Sequence, residues 1–252
     1  DSVVFEVTFV RIPEDQTDFV DRFWQETDEA ILPTGLRRHL AANGFRCGLV
    51  GTPVPAVLQD VLDRQLPMDP GGGAKMIDPG REVVARTNRL RSRSGEMGKI
   101  VVRSNPIAKV AALSYHEDGR ISGETLTKAQ LLFSIHSLAQ GDGQVRLELI
   151  PLIEHGQLKS RFRGDNGAWM VDNTSRDMRM FDDMKIEAML TPGEAVAITC
   201  TEAQCGLGDQ FFGDDRAEKV PRLLLLVRLQ QTQMDDRFED RELLEPIASA
   251  LH

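Results

Sequence analysis

Residues 190–212 read LTPGEAVAITCTEAQCGLGDQFF, and the fold turns on whether this stretch is a binding motif or two strands and a turn. Cys200 and Cys205 stand in it with four residues between them, followed by Gly206-Leu207-Gly208. Zinc sites are commonly built from paired, closely spaced clusters. Here Cys-x4-Cys is alone, with no neighbouring histidine. A redox pair is expected as Cys-x-x-Cys opening a helix. A phosphate loop needs a later glycine, a Lys-Ser/Thr pair and a following helix; CGLGDQFF presents none of these as a sequence. Alternation gives the simpler account. Met184, Ile186, Ala188 and Leu190 fall on one face of an extended run, and Val196, Ile198 and Cys200 on one face of the next. Between them, Thr191-Pro192-Gly193-Glu194 has the Pro-Gly centre of a type II turn. The stretch reads as two strands around a turn, ending in a glycine turn. Cys200 then has a packing role before any chemical one.

The same alternation extends in both directions. "VVFEVTFV" near the start places Val3, Phe5, Val7 and Phe9 on one face and Glu6 and Thr8 on the other, a half-buried strand. Phe19, Phe23, Trp24 and Ala30 approximate helical spacing, with Thr17 or Asp18 available as a cap. A second helix starts near Pro33 and stops at Asn43-Gly44. A short strand at 45–51 and a helix at 54–66 follow. Residues 67–82 are rich in Pro and Gly and read as a linker. From 83 to 230, extended runs dominate. Two strands flank the turn near Gly95, Asp118-Gly119 marks a hairpin, and Gly141-Asp142-Gly143 and His155-Gly156 mark reversals. The run 130–139 fits a strand better than a helix. The predicted class is α+β: a small β-α-α-β-α module over 1–66, the linker, a mostly antiparallel β-domain over 83–230, and an acidic, helical tail over 231–252.

A chain of 252 residues buries roughly 70–75% of its unfolded surface and needs no staples. The longest apolar run, Leu223–Val227, is strand-sized, so no membrane-spanning helix is expected. A net charge of −9 disfavours nucleic acid as a partner. Three cysteines are too few for a disulfide scaffold. In an oxidising compartment Cys200 and Cys205 would close a small loop worth roughly 2 kcal/mol, leaving Cys47 as a buried small hydrophobe. The chain opens on Asp1 directly into a strand, which suggests a processed start and permits export.

Three segments carry a family likeness: VRLELIPLIEHGQLKSRFRG from Val145, MRMFDDMKIEAMLTPGEAVAIT from Met178, and Gly206-Leu207-Gly208. Pro151-Leu152-Ile153 and the run Pro192 to Ile198 resemble the strand-ending and hairpin elements of the C-terminal β-domain of bacterial secretins. The resemblance covers at most residues 100–230. It implies a structural or protein-interaction component of the bacterial envelope, periplasmic or envelope-associated, working through a protein partner or through self-association. The seven residues between Ile198 and Gly206 depart from that pattern, as does the lack of an amphipathic lip helix.

Candidate chemistry is dispersed. Arg86, Arg89, Arg91, Arg93, Lys99 and Arg103 form the basic cluster, suited to an anion or an acidic partner face, or else a solvated hairpin whose charges discourage edge pairing. No aromatic residues interleave with it, as stacking on bases would require. His39, His116, His136, His155 and His252 form no metal motif, and the pairs Asp182-Asp183, Asp214-Asp215 and Asp235-Asp236 read as solvated turns. The segment 163–177 has enough Asp and Asn for a weak calcium site. No nucleophile elbow or linear Ser/His/Asp set is present, although such sites are assembled in space. The leading expectation is a non-enzymatic protein with no cofactor. The alternatives are a metal-dependent hydrolase using His116, His136, His155 and nearby acids, or a ligand- or glycan-binding module near Trp169 or Tyr115, with a cytoplasmic location as the alternative compartment.

Overall fold

The computed structural model describes residues 2–12, 16–63, 84–103, 107–116, 119–165, 168–201, 206–213 and 222–233, with 84, 160–165, 168–175, 222 and 233 described by their backbone alone. The expected linker 67–82, the tail beyond Gln233, Cys205, His252, the Trp169 side chain, most side chains of the candidate calcium segment and the pairs Asp214-Asp215 and Asp235-Asp236 lie outside the described residues.

The elements run β1 (Ser2–Ile12), α1 (Thr17–Gln25), α2 (Thr34–Ala42), β2 (Phe45–Val50) and α3 (Ala56–Asp63). Then come β3 (Val84–Arg93), β4 (Met97–Val101), β5 (Ile107–Tyr115), β6 (Ile121–Ala139), β7 (Val145–Asp165), β8 (Ala168–Met180), β9 (Ile186–Leu190), β10 (Ala195–Cys200), α4 (Gly206–Phe212) and β11 (Arg222–Gln233). Two 3-10 turns, Glu29–Ile31 and Asp182–Met184, complete the described elements. Sheet one has the order β2-β10-β11-β1-β3. Sheet two has the order β4-β6-β7-β8, with β5 paired to β6 and β9 to β7. Every described strand pairing is antiparallel.

The two sheets face each other across the main core. Val3, Phe5 and Val7 of β1 and Val227 of β11 meet Phe133 and Ile135 of β6 and Leu147 and Leu149 of β7. The other face of sheet one is covered by α1 and α3, where Phe19, Phe23, Trp24, Leu58 and Val61 pack on Val10, Ile12, Ala197, Leu224 and Leu226. Sheet one is therefore buried on both faces where β10, β11 and the end of β1 run under α1 and α3. This explains why β10 is buried at all six positions and why the Leu223–Val227 run is almost continuously apolar. The same covering buries Thr8, Val10 and Ile12 on the outer row of β1, beyond the half-burial its alternation suggests.

The mostly antiparallel α+β class is observed. Sheet one is continuous across the expected boundary at 67–82: β1 pairs with β11 and β3, and β2 pairs with β10. Five local expectations need correction. The turn Thr191–Glu194 forms, with Glu194 N–H donating to Thr191 O at 3.0 Å and Gly193 at φ +99°. It joins strands of different sheets, however, because β9 pairs with β7 and β10 with β2 and β11. Likewise β3 and β4 flank Gly95 without pairing to each other; the chain crosses from one sheet to the other there. His155-Gly156 is a bulge inside the long strand β7, with Gly156 at φ +78° and the register shifting between His155 and Lys159. Residues 231–233 continue strand β11, so no helix begins there. The expected strand at 130–139 forms as the second half of β6.

Gly206-Leu207-Gly208 opens helix α4 rather than a turn. Seven residues give little helical periodicity, so tertiary contacts decide it. Phe211 and Phe212 insert between the sheets, with the Phe211 ring 5.5 Å from Phe45 and 5.4 Å from Phe133. Gly208 N–H donates to Asn43 O at 2.9 Å, and a Cβ at Gly208 would lie 1.8 Å from Gly44 O. Only glycine allows that approach.

Candidate functional site

The basic cluster does not form one patch. Opposed residues of an antiparallel pair share a face. Arg86 stands opposite Phe9, on the side of β3 that faces sheet two, whereas Arg89, Arg91 and Arg93 stand opposite Glu6, Val4 and Ser2 on the other side. Lys99, on β4, is ion-paired with Glu154 at 2.5 Å. Arg103 turns away, its Nε donating to Phe211 O at 3.3 Å and tying down α4.

Three of the six, Arg86, Arg89 and Lys99, line a groove of about 430 Å³ where the sheet edges β3 and β4 meet. Its floor is apolar, formed by Val7, Phe9, Leu90, Ile100, Val102 and Leu223. The opposite edge of sheet one is built differently. Strand β2 is covered by the preceding loop, where Asp28 and Leu49 exchange backbone hydrogen bonds of 2.9 and 2.8 Å. Arg46 of β2 pairs with Glu29 at 2.6 Å and stacks over Trp24 at 4.3 Å, holding that loop in place. Among the described residues, β3 pairs only with β1. Among the described residues, one sheet edge is thus capped at Leu49, and the other has one side of its backbone toward the groove.

A second constellation has no linear signature. His39 on α2 is buried, and its Nε2 lies 3.2 Å from Asp183 Oδ2. The same oxygen is 3.7 Å from Nδ1 of His116, whose Nε2 lies 2.8 Å from Ser122 Oγ. Three elements meet: α2, the turn end of the β5–β6 hairpin, and the 3-10 turn Asp182–Met184. Asn43, fully buried at the end of α2, fixes the hairpin by bonding both backbone groups of Tyr115. Of the alternative site residues, His116 is therefore placed beside an acid and a hydroxyl. The others have local partners: His136 sits between Glu148 (3.5 Å) and Gly95 O (3.2 Å), and His155 lies at the β7 bulge opposite Asp177. Among the described residues, no group of three or more His, Cys, Asp or Glu is arranged to hold a metal ion.

Of the cysteines, Cys47 and Cys200 are buried in the core between the sheets. Burial, reinforced by the negative charge of Glu29, pushes the Cys47 thiol far above its ordinary range, so it is inert as a nucleophile. With Cys205 outside the described residues, the Cys200–Cys205 loop is not part of the described structure. At the surface, Asp177 is held below the usual carboxylate range, chiefly by the hydrogen bond from Lys159. Lys185 is raised, chiefly by its hydrogen bond to Glu187. The first pair bridges β7 and β8, the second is local to the start of β9, and none of the four residues lines the groove.

The segments that resemble secretins fall on β7, on β8–β10 and on the start of α4, and so belong to both sheets. No helix among the described residues is long and apolar enough to cross a membrane. No protein-family model, curated protein or solved structure matches the chain.

Proposed function

We propose that the protein is an interaction module that takes up an extended, acidic segment of a partner protein along the β3 edge. The observation that carries this is the contrast between the two edges of sheet one: β2 is capped at Leu49 by Asp28, while β3 borders a groove with an apolar floor and a cationic rim. A bound strand would gain affinity from main-chain hydrogen bonds and specificity from alternate side chains entering the groove. Arg86 and Arg89 present guanidinium forks suited to carboxylates. On a chain of net charge −9, this local reversal of sign would also steer an acidic segment toward β3. On the strength of the secretin-like resemblance, we read it as a module of the bacterial envelope or periplasm, with a protein partner or a second copy as the source of the strand. Fractionation of cells making the full-length protein tests that location.

The direct test uses a labelled peptide of alternating Glu and Leu and the whole chain. Binding should weaken steeply with salt, protect β3 amides from exchange, and fall at least about tenfold (about 1.4 kcal/mol) in the Arg86→Glu/Arg89→Glu double variant. Binding that ignores both the double variant and salt, or protection confined to other strands, would overturn the proposal.

A further inference from the structure

We propose that Ser122, His116 and Asp183 form a nucleophile–base–acid set able to transfer an acyl group, a chemistry separate from strand docking. The order of atoms is the one this chemistry requires. A base nitrogen faces the hydroxyl, with His116 Nε2 at 2.8 Å from Ser122 Oγ, and the other ring nitrogen faces a carboxylate, with Nδ1 at 3.7 Å from Asp183 Oδ2. The first distance is a hydrogen bond. The second is longer than a hydrogen bond and must shorten in the substrate complex, as catalytic contacts commonly do. Asp183 is itself held by the buried His39 at 3.2 Å, which makes His39 a positioning residue. The base is also anchored, because the residue before it, Tyr115, is fixed at both backbone groups by the buried Asn43. Ser122 is exposed, so its oxygen is within reach of a reagent from solvent.

The step balances without a cofactor. Ser122 Oγ attacks the carbonyl carbon of an ester as His116 Nε2 takes the hydroxyl proton. The tetrahedral adduct collapses, the bond to the leaving oxygen breaks, and His116 returns the proton to it. Water, deprotonated by the same nitrogen, then releases the acid and restores Ser122. The exposed setting suits small acyl groups with good leaving groups. Activated reagents depend least on further stabilisation of the oxyanion, so they are the matched probes.

The whole chain should therefore be treated with a fluorophosphonate probe, which bonds phosphorus to the serine oxygen and releases fluoride, and analysed by intact mass and peptide mapping. One adduct is expected, on Ser122, and it should be absent from Ser122→Ala. His116→Gln should slow labelling at least about 100-fold, the usual share of a general base. Asp183→Asn should slow it by less, and p-nitrophenyl acetate should show a burst of one equivalent that Ser122→Ala lacks. Circular dichroism and a melting curve on each variant separate lost chemistry from lost fold. No adduct on the folded wild-type chain, an adduct on another residue, or undiminished labelling in folded His116→Gln would overturn the proposal and leave the cluster as a structural tie between α2 and the hairpin. The strand-docking test above is unaffected by either result.

Discussion

Asn43 and Tyr115 exchange two hydrogen bonds across 72 residues of sequence: Tyr115 N–H donates to the Asn43 Oδ1 at 2.8 Å, and Asn43 Nδ2 donates to Tyr115 O at 2.9 Å. The side-chain amide acts as one more peptide unit at the end of β5, and its Nδ2 also reaches His39 O at 3.0 Å. The helix end and the hairpin that carry His39 and His116 are thereby joined through one fully buried residue. Replacing Asn43 with Ala leaves the part-buried N–H and C=O of Tyr115 unpaired, each costing about 1–3 kcal/mol. Asn43→Ala should lose about 2–4 kcal/mol in urea denaturation, and the Tyr115 amide should lose exchange protection. Asn43→Asp keeps the acceptor but sets a carboxylate against two carbonyls, so it should be no better at neutral pH. A loss below about 1 kcal/mol for both variants would mean that water replaces the amide.

Gly208 makes a similarly specific demand. Its Cβ position lies 1.8 Å from Gly44 O and 2.9 Å from Phe45 N, both backbone atoms that cannot swing aside. Gly208→Ala improves intrinsic helix propensity by up to about 1 kcal/mol. If α4 were held by propensity, the variant would be more stable. Because contact decides, the variant should instead be destabilised by more than about 2 kcal/mol, with α4 displaced and the Gly208–Asn43 hydrogen bond lost. Thermal melting and amide exchange at Gly208 distinguish the two outcomes.

Truncating Phe211 probes the same closure from the core side. Its ring packs edge-on to Phe45 of sheet one and Phe133 of sheet two, and it is fully buried. Phe211→Ala should cost about 3–5 kcal/mol. Phe211→Leu, which keeps most of the volume, should cost well under half of that. Equal losses would show that ring geometry, rather than filled space, holds the two sheets together at this point.

What was legible in the sequence follows from what alternation encodes. Val196, Ile198 and Cys200 do share a face, and Met184, Ile186, Ala188 and Leu190 share another, because side-chain period is a local property. Strand partners are not local. The Thr191–Glu194 turn looks the same whether it closes a hairpin or hands the chain from one sheet to another, and only the register of β9 on β7 and of β10 on β2 decides. The charge run on β3 was visible as composition, but its split between two faces depends on pairing with β1. The set at His116 was beyond reach for the same reason. Asp183 lies far along the chain and His39 on another element, and no spacing rule links them. Ser122, six residues from His116 across the Gly119 turn, was the one local signal.

Cys47 gives a prediction in pH. Its thiol lies in the core between the sheets, where desolvation and then the charge of Glu29 disfavour the thiolate. In the unfolded chain the thiol titrates near its ordinary value of 9.0. Below that pH both states hold the proton and Cys47 has no pH-dependent effect. Above it the unfolded chain releases a proton that the folded chain keeps, so ionisation favours unfolding and stability falls as pH rises. The slope from this one group approaches about 1.4 kcal/mol per pH unit. Cys47→Ala should start less stable because of the lost packing, run parallel to wild type from pH 7 to 8.5, and then close the gap between pH 9 and 10.5 as the wild type alone pays this penalty. Taking the difference between the two proteins removes the titration of Lys, Tyr and the other thiols they share. Urea denaturation at half-unit steps of pH measures it, and parallel curves through pH 10.5 would show that Cys47 ionises freely in the folded protein and that the inner face of β2 is open to water.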